Sequence, residues 1–473
     1  MNPEALLNAD LVEIGEALAS GEVSSEALTQ QCLQRLERIG RPLNAVMELD
    51  AGALEAARSV DRARARGERL GPLAGVPLAH KDLFYRSGKR CTCGSRIHDR
   101  AIASSTATVV TRLERAGAIN LGSLALAEFA LSPTGYNEHY GHGRNPWNPD
   151  HCSGGSSHGS GIAVAARLVY GSLGTDTGGS VRYPAAMCGV TGLKTTFGRV
   201  PRTGVMPLAW SLDTIGPLAR SARDCARLLH AVAGRDDSDG HSLAVPVPAY
   251  EAGLNGDLRG VRVAVPRAYY YDLVTPEVER ALEESLAVLR GRGATIVPTD
   301  VPDMGLINSM MALVMAVEAA TIHRAALAER PQDFADQVRA RIEPGFCYPA
   351  TRYAEALALR ARLTGEYLAT AMRDADVIHT PALPFAVPSI AATLEGSPAD
   401  VARTIASVTH CVRGINYLGL PAICVPAGFT PGPLPVAFQL VGRPFDEGLL
   451  LRVADAYQRD TGWHRSVPPA AGS

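Results

Sequence analysis

Residues 153–161 read SGGSSHGSG and residues 172–180 read SLGTDTGGS, two glycine and serine clusters set a short helix apart in a chain that is 46% hydrophobic. Such clusters serve as flexible linkers, as phosphate cradles, or as two walls of one hydrolytic site. What surrounds each cluster decides among these, and with them the fold.

Between the clusters, GIAVAARLVYG reads as a helix and SLGTD as a buried strand, so the second cluster sits at the end of a strand. Its loop, GTDTGGS, ends in Ser180 and lacks the GK[ST] ending of a P-loop, which argues against nucleotide binding. Gly178 and Gly179 let backbone N–H groups approach and point at a ligand oxygen, the requirement of an oxyanion site. In the first cluster, Gly154 and Gly155 open torsions closed to other residues, and Ser156 and Ser157 bring hydroxyls.

Gly155, Ser157 and Gly159 also satisfy the GxSxG pattern of a nucleophile elbow. That turn needs a strand directly before it, and GRNPWNPDHC at 143–152 has two prolines and no apolar run. The elbow reading is set aside on that ground.

Upstream, Lys81 lies in GVPLAHKDLF, whose middle reads as a strand. Neighbouring side chains on a strand point to opposite faces, so Asp82 is not the partner of an inward-facing Lys81. A lone lysine there can snorkel to water. Burial instead lowers an amine several units from about 10.4 and makes it a usable base near neutrality, provided hydroxyls stand nearby.

Beyond these segments helix and strand alternate. SSEALTQQCLQRLERI begins with a capping serine, GVRVAVP and ATIVP read as strands, and Pro276 opens the helix between them. The apolar segment MGLINSMMALVMAV at 304–317 ends at Glu318, too short to cross a bilayer, and reads as a buried helix. YLGLPAICVPAGF and LPVAFQLVG give two late strands before a closing helix. The expected fold class is α/β, a largely parallel or mixed sheet with helices on both faces. Over 473 residues no linker-like stretch interrupts the pattern, so one domain is expected.

The formal net charge of -2 gives no sign of a nucleic-acid surface. The first residues lack a secretory pattern, which argues against export, and a cytoplasmic location is expected. Nine scattered cysteines suggest no disulfide framework, and neither CTC at 91–93 nor the cluster His139, His142, His151, Cys152 and His158 has regular zinc spacing. No metal and no cofactor are expected.

GVPLAHKDLF, SGGSSHGSGIAVAA and LGTDTGGSVRYPAAMCGVTGLKTTFGRV together resemble the hallmark segments of the amidase signature family, and YLGLPAICVPAGF resembles its C-terminal signature. The resemblance implies hydrolysis of a carboxamide C–N bond by a Ser-cisSer-Lys triad in a large α/β/α domain. Ser180 would be the nucleophile, Ser156 the cis-serine shuttle and Lys81 the base. The N–H groups of Thr177, Gly178, Gly179 and Ser180 would form the oxyanion hole, braced by Asp176 and Arg182, with Gly155 and Ser157 in support. Ala130 is a candidate substrate contact. His158 stands where the family has a small residue, and LGSLALAEF at 121–129 lacks the family's polar run.

The resemblance extends to the glutaminase component of tRNA-dependent amidotransferases, their A subunit, which works within a complex. ASVTHCVRGI, just before NYLGLP, holds no acidic residue for glutamine's polar end, and the 340s lack that component's aromatic run. The expectation is therefore a stand-alone amidase, monomer or homodimer, acting on a small amide, anilide or carbamate (a urethanase in the last case). An inactive amidase-like binding protein is the third reading, and the intact Lys81, Ser156 and Ser180 weigh against it.

Overall fold

The computed structural model describes residues 3–472. Among the described residues there are eleven strands: β1 (Val46–Leu49), β2 (Pro77–Lys81), β3 (Ile119–Leu124), β4 (Gly171–Asp176), β5 (Thr191–Lys194), β6 (Thr214–Ala219), β7 (Arg262–Pro266), β8 (Thr295–Thr299), β9 (Val377–Pro381), β10 (Ala422–Phe429) and β11 (Pro435–Gly442). Eight of them form one sheet in the order β4-β6-β5-β10-β11-β9-β7-β8. Its pairs are antiparallel from β4 to β9 and parallel between β9, β7 and β8, so the sheet is mixed rather than largely parallel.

Strand alternation shows that helices cover both faces. On β11, Phe438 meets Tyr457 of the helix Glu447–Asp460, with ring centroids 5.0 Å apart. The next residue, Gln439, points the other way and accepts a hydrogen bond from Arg182 of the helix Arg182–Cys188. Buried apolar residues from Leu6 to Tyr457 form a single contiguous cluster, so the core reaches nearly to the end of the chain.

The remaining strands make a small sheet ordered β1-β3-β2 that abuts the free edge of β4. Leu173 N on β4 donates to His80 Nδ1 on β2 at 3.0 Å, and Tyr170 N donates to Pro77 O at 3.3 Å. This junction brings the end of β2, with Lys81, beside the end of β4, which leads into the second glycine cluster.

Local signals explain the helices. Ser24 caps Ser25–Arg35 by accepting from Ala27 N, and Pro276 opens Pro276–Gly291, with Glu277 and Glu279 in its first turn. The apolar stretch that stops at Glu318 continues as a 26-residue helix, Met304–Glu329. Its length and composition would suit a membrane span, yet 56% of its most apolar window is buried against the rest of the chain. Glutamate is itself a good helix former, and the Glu318 carboxylate tolerates burial by accepting from Ser211 N, Ser211 Oγ and Tyr353 OH at 3.0, 2.6 and 2.8 Å.

Candidate active site

Lys81 is the last residue of β2 and is 1% exposed, so it does not snorkel to water. Its Nζ donates to Ser156 Oγ at 2.7 Å and to Thr175 Oγ1 at 2.9 Å. Asp82 takes the opposite direction, accepting from Thr92 N and Thr92 Oγ1 at 2.9 and 2.5 Å. Burial brings the Lys81 ammonium down to about 7, against the pull of the Asp213 and Asp176 carboxylates. At neutral pH a substantial fraction of this amine is therefore uncharged.

Ser156 follows a cis Gly155–Ser156 peptide and is fully buried. A side chain at Gly155 would lie 2.3 Å from Ser132 O, so the loop can pass this point only as glycine. Ser157 N donates to Ser180 O at 3.3 Å and ties the two clusters together. The Ser157 hydroxyl turns away toward Thr175 O at 3.3 Å, and the residue precedes the helix His158–Ala165 with no strand before it. The nucleophile-elbow geometry is absent.

Ser180, 7% exposed, ends the loop after β4 and lines a cavity of about 600 Å³ with Thr177, Gly178 and Ala130. Gly179 adopts φ 121°, and a Cβ there would stand 2.2 Å from the Tyr183 ring, so only glycine fits. The N–H of Gly179 departs from expectation. It donates to Asp176 Oδ1 at 2.7 Å and is thereby withdrawn from the oxyanion set, because the Asp176 carboxylate folds back under its own loop. Thr177 is anchored by its hydroxyl, which donates to Asp213 Oδ1 at 2.5 Å.

Asp176 and Arg182 are both fully buried and paired, Arg182 Nη2 to Asp176 Oδ1 and Nε to Oδ2, each at 3.0 Å. Two residues that sequence reasoning passed over complete the knot. Asn416 Nδ2 donates to Asp176 O and Oδ1 at 2.8 and 2.9 Å. Asn416 Oδ1 accepts from Arg182 Nη2 at 2.5 Å, and Gln439 Oε1 accepts from Arg182 Nη1 at 2.6 Å. The adjacent guanidinium holds the Asp176 carboxyl well below the usual carboxylate range against the opposing effect of burial. The available signal for Gln439 was a lone amide within an otherwise apolar strand, LPVAFQLVG.

His158 opens a helix and is fully buried, and both ring nitrogens lack a hydrogen-bond partner among the described residues. Burial carries it down to about 3, which keeps it neutral. His139 pairs with Glu128 at 3.1 Å, and His142 stacks on Tyr136. No group of three metal-binding side chains occurs among the described residues. On the helix Met304–Glu329, Met311, Ala312 and Met315 reach the cavity, and much of the rest of the segment packs in the core.

The sequence profile of the Amidase family matches residues 27–451. Among curated relatives, the glutamyl-tRNA(Gln) amidotransferase A subunit of Roseiflexus sp. (strain RS-1) is 39% identical, over 97% of this chain and 97% of the relative. Among solved structures, one from work on the origins of an s-triazine catabolic enzyme superposes with a TM-score of 0.88 at 33% identity, covering 96% of this chain and 98% of the other. A peptide amidase, PAM, in complex with the competitive inhibitor chymostatin gives a TM-score of 0.85 at 30% identity over 97% and 98% of the two chains. Sequence and fold agree over nearly the whole length: this chain belongs to the amidase family, the amidase signature enzymes.

Proposed function

We propose that this chain cleaves a carboxamide-type C–N bond through an acyl-enzyme on Ser180. One observation carries the reading: a lysine that is 1% exposed donates to Ser156 Oγ at 2.7 Å. Neutral Lys81 takes the Ser156 hydroxyl proton while Ser156 takes that of Ser180, and Ser180 Oγ attacks the carbonyl carbon. The oxygen that gains charge is held by the N–H groups of Thr177, Gly178 and Ser180. Protonated Lys81 returns its proton through Ser156 to the leaving nitrogen, the C–N bond breaks, and water then releases the acid by the same relay. Asp176, Arg182, Asn416 and Gln439 hold the nucleophile loop in position.

Two readings differ in what receives the nitrogen. The names of the curated relatives support a glutaminase component of an amidotransferase, and they weigh more for that reading than for a free amidase. The cavity supports the other: among the described residues lining it there is no aspartate or glutamate, which glutamine's ammonium group would require. On the site's own chemistry the conclusion is an amidase acting alone, as monomer or homodimer, on a small amide, anilide or urethane. A fluorophosphonate probe with an amide panel tests it. The expected result is a mass increment on the Ser180 peptide and turnover of anilides by the isolated chain. Glutamine hydrolysis that requires added partner subunits would favour the amidotransferase reading, and neither labelling nor turnover would make the chain a binding protein.

A further inference from the structure

The wall of the Ser180 cavity is largely apolar, with Met311, Met315, Leu394, Val401 and Ile405 on it. The only charged side chains among its described lining residues are Arg341 and Arg413. Buried guanidiniums in this protein are held in more than one way: Arg182 and Arg199 pair with Asp176 and Glu447, whereas Arg35 bonds to backbone carbonyls. Arg341 and Arg413, half-buried at the cavity wall, have no carboxylate partner among the described residues. Arg413 has a buried Nε without a hydrogen-bond partner, and no carboxylate pairs with it among the described residues. Arg341, on the helix Asp336–Ile342, donates among the described residues only to Gln337, to its O at 3.1 Å and Oε1 at 3.4 Å.

Location adds to charge. A side-chain carbon at Gly178 would lie 3.7 Å from Arg413 Cβ, so Arg413 stands beside the loop that carries Ser180. A half-buried guanidinium on an apolar wall has spare donors for an incoming anion, and its planar fork matches a carboxylate with two hydrogen bonds.

We infer that the cavity selects amides bearing a carboxylate on an apolar body, with Arg413 as the main specificity-determining contact and Arg341 as a second cationic contact. This rests on the amidase reading above and names its substrate class. Cleavage would proceed as described, releasing a dicarboxylic acid and the amine when the carboxylate lies on the acyl side.

The test compares the p-nitroanilide of glutaric acid with its methyl ketone analogue, which has the same shape and no charge. Wild-type protein should show kcat/KM at least roughly 30-fold higher for the carboxylate, the span expected of a desolvated charge-assisted contact. In Arg413→Met that ratio should fall to within about threefold of one, and Arg413→Lys should recover part of it. A wild-type ratio near or below one, or a ratio unmoved by both Arg413→Met and Arg341→Met, overturns the inference while Ser180-dependent cleavage of the neutral anilide leaves the amidase reading intact. Should neither anilide be cleaved, calorimetry of glutarate with Ser180→Ala protein decides. Binding weakened at least tenfold by adding Arg413→Met supports the inference, and no binding refutes it. If Arg413→Met does not fold, Arg413→Lys and Arg341→Gln carry the comparison, each expected to lower the ratio severalfold.

Discussion

Lys81 and Lys194 each end a strand, each is fully or almost fully buried, and burial brings each down to about 7. Their partners separate them. Lys194 Nζ donates to two backbone carbonyls, Thr195 O at 3.0 Å and Leu420 O at 2.7 Å. A carbonyl only accepts, so that amine is confined to donating, and it fastens the end of β5 to the turn before β10. Lys81 faces two hydroxyls, which give and take protons alike, so the same amine can act as a base. A shifted lysine is thus not in itself a catalytic one; what it touches sets its role.

The sharpest way to break this contrast is to remove the groups on the hydroxyl side. Ser180→Ala should lower turnover by about 10⁴-fold or more with the melting curve retained, because no other hydroxyl takes its place. Lys81→Met should lower the rate of Ser180 labelling by about 10³-fold, whereas Lys194→Met should leave labelling per folded molecule within about threefold. Equal losses in the two lysine variants would erase the distinction.

Next in size is the knot below the loop. Arg182→Ala leaves the Asp176 carboxylate buried and unpaired, and urea unfolding should show a loss of about 3–5 kcal/mol, with turnover falling alongside it. Unchanged stability would separate the knot from the fold.

The pH response is smaller in amplitude. A lysine neutral in the fold and charged when unfolded makes the unfolded chain bind more protons between about pH 7 and about 10.4, so both lysines make stability rise with pH across that window. The kcat/KM profile should rise through an apparent pKa near 7 and level off above it. Lys194→Met should flatten part of the stability slope and leave that limb in place, which assigns the limb to Lys81. The least effect belongs to Ser157→Ala, whose hydroxyl makes a single 3.3 Å bond to Thr175 O: about 1 kcal/mol of stability by urea unfolding, with activity within tenfold of wild type.

Much of this site can be read locally. Strand alternation separates Lys81 from Asp82, the prolines at 146 and 149 exclude a strand before Ser157, and the glycines mark where backbone must turn or approach closely. These features act over a few residues, which is why they show in a linear string. Asn416 and Gln439 escape because each meets Arg182 across more than 230 positions, and nothing near either residue signals that pairing. The Gly179 N–H is misassigned for a related reason: sequence shows that a glycine can offer its backbone, but not that Asp176 claims it first. Glu318 marks the end of the unbroken apolar run but not of the helix, since glutamate is a good helix former and Ser211 and Tyr353 satisfy its carboxylate.

The contact between Arg182 and Gln439 spans 257 positions of sequence. A nascent chain can build its lysine, its hydroxyl relay and its glycine turns and still lack the amide that steadies them. On the proposed mechanism, turnover would begin only once synthesis has delivered β11 and that strand has docked, and hydrolysis would then report that the late strands are in place.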